Sequence, residues 1–213
     1  MRDSARVILF AAVLGIICAA MLVGATLFTA PYRTANEKAE EVRNFLSALD
    51  VPVDPSADAK TLLEVFNRDV TVRELGGLTF YEYRPKASGG ASAGTPIAVA
   101  VPLTGMGLWG PINGVLSMEP DITTIRGIRF YQQEETPGLG GEIGADWFQK
   151  QFKGKRIVSN SGEAGFRILK PGGDADANSV DGISGATMTS VRVETMLSEL
   201  AKRIQKVRRE YVQ

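Results

Sequence analysis

Three short segments of this chain carry residue types that could hold a ligand. The first, GMGLWG at 105–110, has the spacing G-x-G-x-x-G, and the second, EETPGLGGE at 134–142, combines a proline with three glycines. The third, DGISGATMTS at 181–190, places hydroxyl side chains directly before a long amphipathic pattern. Glycines let a backbone approach a ligand closely, and successive N–H groups in such loops can hold an anion. The sequence therefore offers three candidate ligand-binding loops.

The composition excludes most catalytic chemistry for these loops. The chain has no histidine, which removes Ser-His and Cys-His catalysis, histidine-ligated metals and haem. Its single cysteine, Cys18, lies in an apolar run, so no disulfide framework and no cysteine metal cluster is expected. Basic and acidic residues number 24 each, which argues against nucleic acid as a partner. We expect no catalytic side chain and no metal, so any redox chemistry requires a bound organic cofactor.

The GMGLWG segment does not have the context of a dinucleotide-binding loop. Such a loop opens a helix whose N-terminus holds the pyrophosphate, whereas the residues at 111–114 (PING) continue as a strand pattern. Two interpretations remain for this segment. It is either a glycine-rich turn with Trp109 in the core, or a backbone close to a flat ligand with Trp109 packed beside that ligand.

The other two loops each have a structural and a functional interpretation. The ETPGLG segment is either a solvated acidic turn or, as we predict, part of a binding site. Hydroxyls at the start of a helix are most often N-caps, yet the same position exposes N–H donors and the positive end of the helix dipole, where phosphate binds well. Nothing in the chain could make a threonine nucleophilic there, so covalent chemistry at 181–190 would need another enzyme.

The N-terminal region predicts a membrane anchor. Val7–Ala30 is a run of 24 residues without a charge, long enough for a transmembrane helix and too long for the apolar region of a signal peptide. Ile16 and Ile17 precede Cys18, which argues against a lipoprotein signal. We expect residues 1–6 to be cytoplasmic and the domain behind the helix to lie outside the cytoplasm.

The remaining patterns predict an α+β domain: an antiparallel sheet with helices packed at one side. The expected helices continue from the anchor to Leu49, and cover Ala59–Val70, Asp146–Phe152 with Trp147, Phe148 and Phe152 turned inward, and the C-terminal stripe Val193, Met196, Leu197, Leu200, Ile204, Val207 and Tyr211. The expected strands are Thr79–Arg84, Pro96–Leu103, Ile112–Met118, Thr123–Gln132, Arg156–Ser159 and Phe166–Lys170. The segment at 84–96 is predicted to be an exposed, mobile hairpin loop.

The C-terminal helix is basic in its last turns. Its cations complement the negative end of the helix dipole and aid solubility, the alternative being contact with acidic lipid or a neighbouring subunit; they are Lys202, Arg203, Lys206, Arg208 and Arg209.

Taken together, the motifs resemble a known family. GMGLWG, TTIRGIRFY followed by ETPGLGGEI with the Trp147 helix behind it, and DGISGATMTS are similar to NqrC, a component of the Na+-translocating NADH:quinone oxidoreductase. The related RnfG component of the Rnf ferredoxin:NAD+ oxidoreductase is similar too, although GGEI is more Nqr-like. The resemblance covers the anchor and residues 97–200. It implies division into residues 1–6, the transmembrane helix at 7–30, a membrane-proximal helical and hairpin region at 31–95, and an FMN-binding domain at 96–213.

The resemblance also implies a cofactor and its site. The threonine that ends SGAT, Thr187, would carry FMN through a phosphoester bond installed outside the cytoplasm by a dedicated flavin transferase. Ser184, Gly185 and Ala186 would shape the phosphate turn. The second wall and the ring contact would come from Thr136, Gly138, Leu139, Gly140 and Trp109, with Glu135, Asp181 and Thr189 completing the binding set.

The function implied is an electron-transfer subunit that works with other integral subunits of a complex in the inner (plasma) membrane. Alternatives are an RnfG-like subunit, a membrane-anchored flavin sensor without electron flux, and a cell-surface domain without a cofactor. Two departures from the family stand out. Gln132 and Gln133 occupy positions where such sequences often have a histidine, and the segment at 50–95 is compact and unmatched.

Overall fold

The computed structural model describes residues 2–85, 94–159 and 161–212. The chain divides into two compact units, Met1–Glu40 and Glu41–Gln213. The first helix, α1 at Arg2–Ala48, runs through this boundary, as the sequence predicts.

The first unit consists of the N-terminal part of α1. By length and composition, Arg6–Ala30 is apolar enough to cross a membrane. No residue of its most apolar 18-residue stretch is buried against the rest of the described structure. The hydroxyls of Thr26 and Thr29 donate to the carbonyls of Leu22 and Ala25 one turn earlier. Polar side chains that bond within their own helix are tolerated in lipid. This helix coincides with the predicted anchor at 7–30.

The second unit is built on a five-stranded antiparallel sheet in the order β1-β2-β3-β4-β5. The strands are β1 Val70–Leu75, β2 Leu78–Tyr83, β3 Ala98–Met106, β4 Pro111–Met118 and β5 Ile125–Gln132. A 3-10 turn at Gly140–Gly144, helix α3 at Asp146–Lys150, the short parallel pair β6 Arg167–Leu169 and β7 Ser179–Asp181, and helix α4 at Thr187–Val212 follow. Helix α2, Ala59–Asp69, precedes the sheet, and its N-cap Asp58 accepts from the Thr61 amide at 2.9 Å.

Helices cover both faces of the sheet, whereas the sequence predicted them at one side. Alternate residues of β3 point to opposite faces: Val99 and Val101 enter the core that contains the stripe of α4, and Ala98 and Ala100 enter a second core with Phe45 and the other buried residues of α1 and α2. A strand that is apolar on both faces, such as PIAVAVPL, requires cover on both. The predicted class, α+β with an antiparallel sheet and flanking helices, is confirmed.

Helix α4 matches its prediction along its whole length. Every residue of the predicted stripe, from Val193 to Tyr211, is buried. At the far end, the Tyr211 hydroxyl donates to buried Glu82 at 2.7 Å. Two of the basic residues make internal bonds, Arg203 to the Gly77 carbonyl and Arg208 to the Asp121 carbonyl.

Several predicted elements were wrong. Strand β1 was not predicted, and Val70 was assigned to the preceding helix because its apolar side chain fits both patterns. Arg156–Ser159 forms single bridges to Thr124 and Ala164 and no strand, and β7 was missed because three residues carry too little periodicity. In α3, Phe148 is buried as predicted, and so is Phe152 beyond it, but Trp147 is 48% exposed because its indole N–H donates to Glu142 at the surface.

Two further predictions concern the loop at 84–96 and the division of the chain at position 95. Residues 86–93 of the predicted loop at 84–96 lie outside the described residues. Strands β1 and β2 from the predicted membrane-proximal region pair in one sheet with β3 from the predicted ligand-binding domain, so residues on both sides of position 95 share a sheet.

Candidate functional site

The three candidate loops meet at one cleft of about 340 Å³. It is lined by Leu108, Trp109, Glu135, Thr136, Leu139, Gly140, Gly185, Ala186, Thr187, Met188 and Thr189. Most of the residues predicted from the sequence are therefore brought together. Leu108 and Met188 were not predicted, although each is an apolar neighbour of a predicted residue in a motif that was identified.

Three predicted residues do not line the cleft. Gly138 lies at the tip of its loop with φ of 74°, and Ser184 is exposed in the turn before α4. Asp181 ends β7, where its backbone N–H donates to Gln151 at 3.0 Å. One carboxylate oxygen of Asp181 is buried without a hydrogen-bond partner among the described residues.

The GMGLWG segment is the hairpin between β3 and β4. Met106 pairs with Pro111, and the Gly107 amide donates to the Gly110 carbonyl at 2.8 Å. Strands on both sides confirm that this is not a dinucleotide-binding loop. Trp109 is 69% exposed, so the interpretation of its ring as core is wrong. The indole instead stands at the cleft with Leu108, also exposed.

The ETPGLG segment forms a tight turn after β5. The Thr136 carbonyl accepts from the amides of Leu139 and Gly141 at 3.1 and 2.9 Å. The Thr136 side chain is exposed, and its hydroxyl makes no hydrogen bond within the described parts of the chain. Gln133, at one of the positions where a histidine is often found, accepts from the Glu135 amide at 2.6 Å. This glutamine supports the turn from outside the cleft.

The N-terminus of α4 supplies backbone donors to the cleft. Thr187 is the first residue of the helix. The first helical hydrogen bond of α4 runs from the Ser190 amide to the Ala186 carbonyl at 3.0 Å. Ala186 has no side-chain oxygen to act as a cap. The amides of Thr187, Met188 and Thr189 make no hydrogen bond to the residues that the structure describes. Such donors, with the helix dipole behind them, favour an anion.

The hydroxyls at the start of α4 differ in their surroundings. Thr189 is 2% exposed and donates to Glu135 at 2.6 Å, and Ser190 is buried and accepts from the Ile183 amide at 3.3 Å. Thr187 is exposed and lies inside the helix instead of at the cap position, and its hydroxyl has no bond among the described residues. Of these hydroxyls, only that of Thr187 is open to another molecule.

The donor set of the cleft fits a phosphate attached to an aromatic ring. None of the residues that line the cleft is cationic, so an anion there would be held by the amides of α4. The exposed side chains of Leu108, Trp109, Leu139 and Met188 offer apolar area for a planar group. A volume of about 340 Å³ is near the lower limit for small-molecule sites, which would leave part of a flavin in contact with the outside.

Comparison with known proteins confirms the resemblance drawn from the sequence. Residues 107–202 match the model of the FMN-binding domain family. The NqrC component of the Na(+)-translocating NADH-quinone reductase of Neisseria meningitidis serogroup A is 41% identical over 96 residues, which are 45% of this chain and 37% of that protein. The corresponding component in Chlamydia trachomatis is 44% identical over 43% of this chain and 34% of its own length. The matches thus span little more than a third of these relatives.

Solved structures extend the similarity to most of the fold. The corresponding reductase component from Parabacteroides distasonis has a TM-score of 0.66 and 27% identity, covering 85% of this chain and 96% of that one. NqrC from Shewanella oneidensis also has a TM-score of 0.66, at 22% identity, and covers 83% of this chain and 98% of that one. The architecture described above is therefore the architecture of these proteins.

Proposed function

We propose that this protein carries FMN in a phosphoester bond to Thr187 and works as an electron-transfer subunit of an Nqr-type membrane complex. The observation that carries the proposal is the environment of Thr187. Its hydroxyl is exposed, has no bond within the described residues, and lies at the N-terminus of a 26-residue helix inside a segment that matches an FMN-binding domain. Thr189 and Ser190 are both buried and already hydrogen-bonded.

The cleft residues would divide the work of holding the group. The amides of Thr187, Met188 and Thr189 would bind the phosphate oxygens, and Gly185, with φ of 75°, lets the preceding turn bend toward them. Trp109 and its apolar neighbours would pack against the ring and exclude water from that side. The Thr136 hydroxyl would donate to or accept from the cofactor across the cleft.

Bound FMN would supply reversible uptake and release of electrons, which no side chain in the chain provides. The protein residues then need no acid or base of their own, in accord with the absence of histidine. A shallow cleft keeps one part of the cofactor near the surface, where redox groups of neighbouring subunits could approach it.

Attachment requires an external enzyme and an activated donor. The new bond joins the Thr187 hydroxyl oxygen to the flavin phosphorus, the hydroxyl proton is lost, and the bond between phosphorus and its leaving group breaks. Glu135, the acidic residue that lines the cleft with Thr187, already accepts from Thr189 and from two backbone amides, so we expect it to be a poor base for this step. We infer that a flavin transferase supplies the base and takes as donor a flavin phosphate that carries a leaving group.

The relatives support the choice of complex. Those reported above are named as parts of the Na+-translocating NADH-quinone reductase, which favours an Nqr-type assembly with integral membrane partners over the RnfG-like alternative. The helix at Arg6–Ala30 would anchor the protein in the inner membrane. The flavin domain would lie outside the cytoplasm. Protease added to intact spheroplasts should then remove the domain, and protection until lysis would contradict this side.

Intact mass tests the attachment directly. Full-length protein made together with a flavin transferase should gain the mass of one FMN less one water and remain yellow after denaturation. Thr187→Ala should do neither. Thr195→Ala is the matched control and should be flavinylated normally, because Thr195 is an exposed threonine on the same helix whose hydroxyl donates to the Val191 carbonyl. Flavin retained in Thr187→Ala and lost in Thr189→Ala would refute the assignment.

A further inference from the structure

We propose that Glu135 is a positioning residue that ties the three loops of the cleft together and makes no bond to the cofactor. The resemblance to the family placed it among the cofactor-binding residues. The inference rests on the proposed role of Thr187, because its consequence is the placement of that hydroxyl and of the helix amides around it.

The Glu135 carboxylate is shared among all three loops. One oxygen accepts from the backbone amides of Leu108 and Trp109, at 2.7 and 3.2 Å, and thereby holds the hairpin between β3 and β4. The other oxygen accepts from the Thr189 hydroxyl at 2.6 Å and thereby holds the first turn of α4. These partners are separated from Glu135 by 26 or more positions along the chain. Glu135 itself is only 5% exposed.

The surrounding glycines show how closely the loops approach this carboxylate. A Cβ atom added at Gly140 would lie 2.6 Å from one Glu135 oxygen and 2.5 Å from the Thr189 hydroxyl. A Cβ atom added at Gly107 would overlap the other oxygen. Both positions have ordinary backbone conformations, so these glycines are needed for space and not for a left-handed turn. Two of the three glycine-rich motifs thus make room for one side chain.

This arrangement has two effects on the cleft. Both carboxylate oxygens already accept hydrogen bonds from protein donors, which stabilise the charge of Glu135 within the protein. The bond to Thr189 also removes that hydroxyl from competition and fixes the helix turn in which Thr187 is exposed. A charged acceptor with three donors makes stronger bonds than a neutral one, which suits a group that must hold three segments.

Hydrogen exchange on full-length protein made without the transferase tests the tie itself. In Glu135→Ala, the amides of Leu108 and Trp109 should exchange roughly tenfold faster than in the wild type, since they lose their acceptor. Glu135→Gln should restore most of the protection, because its amide oxygen accepts from both amides and its N–H groups can donate to the Thr189 oxygen. Unchanged exchange in Glu135→Ala would overturn the proposal.

Flavinylation by the transferase tests the consequence. The initial rate should fall in Thr189→Val and about tenfold in Glu135→Ala, and it should fall no further in the double variant than in Glu135→Ala, because that change has already removed the bond to Thr189. Tyr211→Phe is the control for general loss of stability, since it removes a buried hydrogen bond at the opposite end of α4, and its rate should match the wild type.

The outcomes separate this inference from the proposed function. If the wild type is never flavinylated, the proposed function fails, whereas the exchange result still decides whether Glu135 holds the loops. If the wild type is flavinylated and Glu135→Ala matches its rate, the positioning role is refuted. If Glu135→Ala does not fold, Thr189→Val carries the rate measurement, and a wild-type rate in that variant would refute the tie between Glu135 and α4.

Discussion

The two ends of α4 are built in opposite ways. At the C-terminal end, Tyr211 is buried, its hydroxyl donates to Glu82, and the guanidinium of Arg73 lies 4.9 Å from the centre of its ring. Glu82 is 2% exposed and also accepts two bonds from Arg84, at 2.9 and 2.6 Å. Every polar group named here has a partner inside the protein. These bonds fix the C-terminal end of α4 against the sheet.

At the N-terminal end, the polar groups are incomplete. Three amides and the Thr187 hydroxyl have no partners among the described residues, although the helix turn that carries them is held firmly through Thr189 and Glu135. Unpaired donors on a rigid element are what a binding site needs, because their geometry is set before the ligand arrives. Helix α4 therefore has one end whose polar groups are paired within the protein and one end whose donors are available to a ligand.

The largest expected effect on stability comes from removing Glu82, the acceptor shared by Tyr211 and Arg84. Glu82→Ala would leave the Tyr211 hydroxyl and the Arg84 guanidinium without their shared acceptor in a buried place, and we expect the free energy of unfolding to fall by about 3 kcal/mol. Denaturant unfolding measures this loss. The flavinylation rate per folded molecule should stay at the wild-type value. A fall in that rate beyond the loss of folded protein would show that the two ends of α4 are coupled.

A milder change at the same end should depend on pH. Tyr211→Phe removes one bond to a charged acceptor and should cost about 1–2 kcal/mol near neutral pH. Burial and the neighbouring Glu82 carboxylate raise the pKa of the Tyr211 hydroxyl. The unfolded chain therefore loses this proton first, at about pH 10, and the stabilisation by Tyr211 declines above that pH. The difference in unfolding free energy between the wild type and Tyr211→Phe should therefore shrink as the pH rises above about 10. A difference that stays constant with pH would contradict the role assigned to Tyr211.

At the ligand end, a methyl group in the phosphate turn should act on both stability and binding. Gly185 has φ of 75°, and a Cβ atom there would lie 3.0 Å from the Leu139 side chain. Gly185→Ala should cost about 1 kcal/mol in thermal or denaturant unfolding and should slow flavinylation. Gly172→Ala is the matched control, with φ of 77° and open space around its Cβ position. It should cost similar stability without slowing flavinylation; equal rates for both variants would contradict a role for the turn.

The smallest effect on stability is expected on the opposite wall. The Thr136 hydroxyl is exposed and has no bond within the described residues, so Thr136→Val should change the unfolding free energy by less than about 0.5 kcal/mol. If this hydroxyl bonds the cofactor, the variant should instead show slower flavinylation, a shifted flavin potential or lower fluorescence anisotropy. If the flavinylation rate, the flavin potential and the anisotropy are all unchanged, the ETPGLG segment is a structural turn and Thr136 does not bind the cofactor.

The sequence was a good guide wherever one residue pattern implies one structure. The stripe from Val193 to Tyr211 predicted both the existence and the buried face of α4, because a helix repeats every 3.6 residues. The uncharged run at 7–30 predicted the long apolar helix because 24 residues without a charge are enough to span a membrane as a helix. Trp147 was wrongly predicted to be buried, and Trp109 was left between core and ligand contact, since an aromatic residue suits a core and a surface cleft equally well until its neighbours are known.

What the amino-acid order determined by itself is thus local: the apolar helix, the main strands of the sheet, the glycine-rich turns and, through the motif, the candidate Thr187. Only the tertiary structure decided which hydroxyl at the start of α4 remains open and what Glu135 does. Thr189 and Glu135 are 54 positions apart, and their bond exists because the sheet brings the hairpin, the ETPGLG turn and the helix to one place. Periodicity describes how a segment packs, whereas a hydrogen bond between distant segments depends on the path of the whole chain.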